Sequence, residues 1–190
     1  MSRRVALTLA SVLLLGACSS GPKQAVFLQN MPSWMVQDMS GYTTQGVDSS
    51  HVIDGQVERS EVIARERARF RVAVHIANKL KETYTASQNA HQKPYDDAIF
   101  NQVIQAISAS LGHGVQLGEY INPNNQEVFM LVQVNFYDPT KLQVALEKIK
   151  SLAPETIQQI TAGVKKIFNE VSLENDTKNH HDFTKERGGH

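Results

Sequence analysis

Apolar residues recur with a helical period along two central stretches of the chain. The first stretch runs from about Val57 to Thr85, and the second runs from about Tyr95 to Leu111 and stops at Gly112. A period of 3.6 residues places these side chains on one face of an amphipathic helix, and glycine commonly follows the last helical residue. We therefore predict one long helix and one shorter helix.

The predicted long helix carries apolar residues on two opposite sides. One side holds large side chains from Phe70 to Leu80, joined upstream by Val62 and Ile63. The opposite side holds small residues, which let another backbone approach closely. They are Ala64, Ala68 and Val72. We expect both sides to be covered, by a sheet and by a second helix or a neighbouring subunit.

Strand patterns lie on both sides of this helical region. Residues 115–121 and 128–137 are predicted to be two strands, the second with one fully apolar face and one half-apolar face, and the proline of the 122–125 link suits a type I turn. Residues 41–55 suit a short strand with turns, and the proline in residues 31–36 suits an edge or lead-in strand. A small sheet of about three to four strands is predicted.

Two further helices are predicted near the C-terminus. Asp138 and Pro139 suit the N-cap and first position of a helix, and Pro154 starts another that runs to about Leu173. Residues 174–190 have almost nothing to bury, so we expect disorder there. The predicted fold class is α+β, with the sheet packed by the long helix and a second helix, and two additional C-terminal helices.

The first eighteen residues have the form of a secretion signal. Arg3 and Arg4 precede about eleven apolar residues, a stretch too short to span a bilayer, and Leu15-Gly16-Ala17 leads to the only cysteine, Cys18. This ending resembles the lipobox of bacterial lipoprotein signal peptides, which implies cleavage between Ala17 and Cys18 and lipidation of the cysteine. The alternatives are a plain cleaved signal peptide or a buried apolar helix with an incidental cysteine.

The charge balance changes once this leader is removed. The chain of 190 residues has 19 basic and 19 acidic residues, and loss of Arg3 and Arg4 leaves 17 against 19, a formal charge of −2. This balance gives no electrostatic footprint for nucleic acid. Ser19 after the cysteine favours delivery to the outer membrane. We expect a lipid-anchored protein facing the periplasm or the exterior, with residues 18–30 as a tether.

Candidate catalytic and metal chemistry is sparse. The sequence has no serine-hydrolase elbow, phosphate-binding glycine loop, dinucleotide fingerprint or zinc-protease motif. His75 has no carboxylate four residues away on its helix, and the histidine-rich end lies in the segment predicted to be disordered. Its possible ligands are His180, His181, Asp182 and His190. We therefore expect no enzyme, no metal site and no cofactor.

An arginine run on the long helix is the remaining candidate surface. Its members are Arg65, Arg67, Arg69 and Arg71. One interpretation is a solvated helical face paired with its own glutamates. The other is a binding surface for a partner protein or for an anionic polymer or lipid.

Several of these features occur together in one known family. The lipobox, the Pro32-x-Trp34 pair, the alanine- and arginine-punctuated helix from Ala64 to Leu80 and the strand Val128 to Phe136 resemble the LPP20 family of lipoproteins. The resemblance covers about residues 31–137 and leaves 138–173 as a helical extension.

Membership of the LPP20 family would imply a small α+β domain that assembles around envelope machines. We accordingly expect a structural or assembly role in a flagellar basal structure or secretion apparatus. Such a protein acts by self-association as a homo-oligomer or by packing against envelope-complex proteins. The alternative is a periplasmic binding module for peptidoglycan or another anionic envelope polymer.

Overall fold

Five helices and three strands form the part of the chain that the structure describes. The computed structural model describes residues 31–37 and 41–177, with side chains as far as residue 172. The elements in order are α1 (Ser33–Val36), β1 (Gln45–His51), α2 (Val57–Ala90), α3 (Asp97–Ser110), β2 (Val115–Asn122), β3 (Glu127–Gln133), α4 (Pro139–Glu147) and α5 (Pro154–Thr177). The α+β prediction, with a three-stranded sheet and two C-terminal helices, is confirmed.

Side-chain caps fix where two of the helices begin. The Asp96 carboxylate accepts hydrogen bonds from the backbone of Ala98 and Ile99 at 2.7 and 3.1 Å, and α3 starts at the next residue. The Asp138 carboxylate caps α4 in the same way, with Pro139 at its first position. These carboxylates satisfy backbone donors that a helix start leaves unpaired.

The sheet is antiparallel with the order β1-β3-β2, so β3 is the central strand. Gly46 lies opposite Val132 in the β1 pairing, and Tyr120 lies opposite Phe129 in the β2 pairing. The register of β2 shifts between Gln116 and Gly118.

The secondary structure of the first described residues differs from the prediction. Residues 31–36 were expected to form an edge or lead-in strand, but Ser33–Val36 form the single turn α1. Pro32 is extended, with φ −56° and ψ 144°, and the chain turns immediately afterwards. This turn buries Trp34, which is 2% exposed, against Gly118 of β2. A contact distant in sequence therefore overrides the local preference.

Small residues of α2 make the contact with the sheet. Ala64 and Ala68 form a buried cluster with Met130 and Val132 of β3. A β-carbon at Gly46 of β1 would overlap the Ala68 carbonyl oxygen, so helix and strand backbones meet directly. This confirms the expected close approach on the small-residue side.

The opposite side of α2 faces the other helices. Ala73, Ile76 and Leu80 belong to one buried cluster that also contains residues of α3, α4 and α5. The C-terminal helices thus share a hydrophobic core with the long helix. None of the helices in the described ranges is long and apolar enough to cross a membrane.

Candidate functional site

The four arginines of the predicted surface separate into two pairs on different flanks of α2. Arg65 and Arg69 are four residues apart and reach toward β2 and α3. Arg67 and Arg71 are also four residues apart and reach toward β1. Helical residues four apart share a face, whereas residues two apart do not. The run therefore does not form one continuous cationic patch.

The pair toward β2 and α3 is engaged with the domain itself. Arg65 Nη2 donates to Gln116 Oε1 at 2.9 Å. Arg69 Nε contacts Glu66 Oε2 at 2.9 Å, and Arg69 Nη1 donates to the Ser108 carbonyl oxygen at 3.0 Å. The Arg69 side chain is only 23% exposed. It therefore ties α2 to the end of α3 and serves the fold.

The pair toward β1 is more accessible to solvent. Arg67 Nη1 donates to the Ser49 carbonyl oxygen at 2.9 Å. Arg71 Nε contacts Asp48 Oδ2 at 2.7 Å, while the Arg71 side chain remains 55% exposed. Both guanidinium groups keep solvent-facing surface that a partner could contact.

These two exposed arginines line an open groove of about 680 Å³ beside α2, which we call the α2 groove. It is lined by Asp48, Val62, Ile63, Glu66, Arg67, Phe70 and Arg71. The groove combines three apolar side chains with charges of both signs. Val62 is 58% exposed although its apolar character favours burial.

The sequence pattern placed Val62 and Ile63 in the buried stripe of α2, and this is wrong for Val62. The helical core includes α2 residues from Val72 onward, with Phe70 packed partly against it. Among the described residues, the first turns of α2 therefore have the sheet on one side and the groove on another. Periodicity identifies an apolar face but not how far the covering helices extend along it.

Only some of the histidines that were weighed as candidate ligands lie in the described part of the chain. His75 Nδ1 hydrogen-bonds with the Gln45 carbonyl oxygen at 2.9 Å, which links α2 to β1. Within the described residues, no three His, Cys, Asp or Glu side chains are grouped to hold a metal ion. Several predicted residues lie outside the described part of the chain. They are Ala17, Cys18, His180, His181, Asp182 and His190.

Two tyrosines that lie outside the α2 groove have raised pKa values. Burial raises the pKa of Tyr137, whose ring stacks on Phe168 with centroids 4.9 Å apart. The pKa of Tyr95 is raised mainly by desolvation and to a smaller extent by a hydrogen bond with Asp97. Both phenols stay protonated at neutral pH, which suits packing rather than acid-base chemistry.

Comparison with known proteins identifies one family. The family model described as TNF-alpha-inducing protein of Helicobacter matches residues 23–172. The match runs from before α1 into α5, so it covers α4 and most of α5. The comparison found no match to the LPP20 family, so the resemblance to that family stays a prediction. A search of curated proteins found no match. The chain belongs to the family of the TNF-alpha-inducing protein of Helicobacter.

Proposed function

We propose that this protein is a lipid-anchored, non-enzymatic component of the bacterial outer membrane that acts by packing against copies of itself. The role is structural or assembly-related within an envelope machine, either a flagellar basal structure or a secretion apparatus. The α2 groove is the observation that carries the proposal, because it exposes Val62 beside Ile63 and Phe70. The lipobox-like ending at Cys18 and the resemblance to LPP20 lipoproteins support the same role.

The composition of the groove favours a second copy as its occupant. Arg67 and Arg71 lie on the same surface as Asp48 and Glu66, so the groove carries both signs of charge. In a two-fold interface the same surface meets itself. A copy related by two-fold symmetry would place Glu66 of one chain opposite Arg67 of the other, with the two Val62 side chains between them. Arginine and aromatic residues are enriched at such interface centres.

One exposed valine offers a direct test of self-association. Val62→Asp places a charge in the apolar part of the groove, and Val144→Asp makes the same change on α4, where Val144 is 45% exposed. We expect the lipidated protein in detergent to have the mass of a defined oligomer. Val62→Asp should weaken association at least about tenfold, equivalent to roughly 1.4 kcal/mol. Val144→Asp should match the original chain.

Two results would contradict self-association through the groove. One is a monomeric original protein at all concentrations in detergent. The other is equal behaviour of the Val62→Asp and Val144→Asp variants, since a general effect of added charge would then explain both.

The anchor has a separate test. Cys18→Ser removes the thiol that a lipobox cysteine provides for acylation, so we expect loss of outer-membrane fractionation with an unchanged circular dichroism spectrum. Ser19→Ala is the matched control and should remain in the membrane fraction. Retention of Cys18→Ser in the outer membrane would contradict lipidation at that residue.

A second candidate function is binding of peptidoglycan or another anionic envelope polymer. Arg67 favours it, because this exposed arginine donates to the Ser49 carbonyl oxygen, a neutral acceptor, and makes no ion pair with a carboxylate among the described residues. Its charge is available to an anionic ligand. A monomer that pellets with purified peptidoglycan, and loses this property in Arg67→Gln, would support polymer binding over self-association.

A further inference from the structure

The helical wall of the α2 groove has an apolar line with opposite charges on its two sides. Ile63 and Phe70 are seven residues apart, which is nearly two helical turns, so they lie on one line along α2. Glu66 and Arg67 follow Ile63 by three and four residues and therefore fall on either side of this line. All four residues line the groove. The groove thus has an acidic flank, an apolar centre and a basic flank.

Contacts within the domain show which neighbour each charged flank faces. Glu66 Oε2 lies 2.9 Å from Arg69 Nε, and Arg69 Nη1 donates to the Ser108 carbonyl oxygen, so the acidic flank is the one toward α3. Arg67 Nη1 donates to the Ser49 carbonyl oxygen, so the basic flank is the one toward β1. The side chains of Glu66 and Arg67 both remain exposed. The charge on each flank can therefore meet a group of a second molecule.

Two copies of α2 that pack side by side about a two-fold axis can run antiparallel or parallel. In the antiparallel pair each flank meets the same flank of the other copy, so Glu66 faces Glu66 and Arg67 faces Arg67. In the parallel pair each flank meets the opposite flank, so Glu66 of one copy faces Arg67 of the other on both sides of the axis. Like charges placed opposite each other oppose association, and opposite charges favour it. The charges of the groove therefore favour the parallel pair.

The apolar line suits the same orientation. In a parallel pair Ile63 meets Ile63 of the other copy and Phe70 meets Phe70, as equivalent residues do along the seam of a parallel coiled coil. A β-branched residue in such a seam favours assemblies of two helices. Beyond Phe70 the residues Ala73 and Ala77 are buried in the helical core, so the contact between copies ends there. Because this contact is short, the flanking ion pairs are important for fixing its orientation.

We propose that two copies of this protein pair through parallel α2 helices, with Glu66 of each copy bonded to Arg67 of the other. Ile63 and Phe70 of the two copies meet along the two-fold axis between the helices. This inference rests on the proposed function, since it specifies how the α2 groove of one copy receives the second copy. Both α2 helices then begin at the same end of the pair, and Glu66 and Arg67 determine the orientation.

Engineered disulfides in membranes that hold the full-length lipidated protein distinguish the two orientations. A disulfide needs β-carbons about 4 Å apart, whereas residues seven positions apart on a helix are separated by about 10 Å. After oxidation we therefore expect Ile63→Cys to form a dimer by itself. Co-expressed Ile63→Cys and Phe70→Cys chains, one with a longer tag, should give little mixed dimer. The original protein and Val144→Cys are the controls and should run as monomers on a non-reducing gel.

Charge reversal tests the ion pairs independently, by the mass of the lipidated protein in detergent. We expect Glu66→Arg and Arg67→Glu each to weaken association at least about fivefold, because each places like charges opposite one another. The double variant Glu66→Arg/Arg67→Glu restores opposite charges and should associate within about twofold of the original protein. Lys165→Glu, at an exposed position of α5, is the matched control and should leave association unchanged. Circular dichroism should be the same for all variants.

Three outcomes would overturn the parallel pairing. The first is a mixed Ile63→Cys and Phe70→Cys dimer without a dimer of either variant alone, which would assign an antiparallel pair. The second is a double charge reversal that associates as weakly as the single reversals. The third is a disulfide between Ile63→Cys and a protein of another mass, which would assign the groove to a different partner.

Failure of the orientation and failure of the proposed function give different results. A monomeric original protein in detergent would contradict both. An oligomer that Val62→Asp weakens, but that gives no Ile63→Cys dimer, would contradict only the parallel orientation and leave self-association through the α2 groove in place.

Discussion

The two halves of α2 have the same helical conformation but different surroundings. The half that begins at Val72 is enclosed, because Ile76, Ala77 and Tyr84 are buried among residues of the other long helices. The half before Phe70 packs its small residues on the sheet and presents Val62 to solvent in the α2 groove. One helix therefore contributes to the core with its second half and lines an open groove with its first.

The largest difference between the halves should be in stability. Ile76 is fully buried, so Ile76→Ala removes packed methyl groups and leaves a cavity, at a cost of about 2–5 kcal/mol. Val62→Ala, at a site 58% exposed, should cost less than about 0.5 kcal/mol. Urea unfolding followed by circular dichroism measures both free energies of unfolding. Similar costs would mean that the first half is buried to the same extent.

Disrupting the contact between the first half of α2 and the sheet should lower the free energy of unfolding by less than Ile76→Ala does. Gly46→Ala would drive a β-carbon into the Ala68 carbonyl oxygen, which cannot move aside like a flexible side chain. We expect a loss of about 1–3 kcal/mol in free energy of unfolding. Gly41→Ala is the matched control, since nothing lies within 4 Å of its added carbon. Equal stabilities would contradict the close backbone contact.

Substitutions of the arginines should have small effects on the free energy of unfolding, and the effects should differ between the two flanks of α2. Arg69 is largely covered and bonds to both Glu66 and the Ser108 carbonyl, so Arg69→Gln should cost about 1–2 kcal/mol. Arg71 makes an exposed ion pair with Asp48, and Arg71→Gln should cost at most about 0.5–1 kcal/mol. Thermal unfolding of the two variants in parallel gives the order, and a reversed order would contradict these roles.

Local sequence signals predicted the parts of the fold that depend on neighbouring residues. Asp138 and Pro139 give a helix start through a cap and a fixed φ, and the structure has α4 starting there. Ala64 and Ala68 identified the close approach to another backbone, although not which strand makes it. The α+β class follows from such elements taken together.

Features that depend on contacts between residues distant in the chain could not be predicted from local sequence patterns. The turn at Trp34 is set by Gly118, and the arginine flanks are set by acceptors 18 and 51 residues away, at Ser49 and Gln116. Exposure of Val62 depends on where the core helices stop along α2. Alternating arginines show that charge is present, but only the tertiary structure decides which guanidinium groups stay accessible.

Cross-linking at the groove tests the central claim of self-association most directly. Cys18 is the only cysteine, so Val62→Cys and Val144→Cys each introduce one new thiol. In membranes from cells that make the lipidated protein, a short bis-maleimide should produce a dimer with Val62→Cys and little dimer with Val144→Cys. Equal yields for the two variants, or no dimer with Val62→Cys, would contradict packing of one copy against another through the α2 groove.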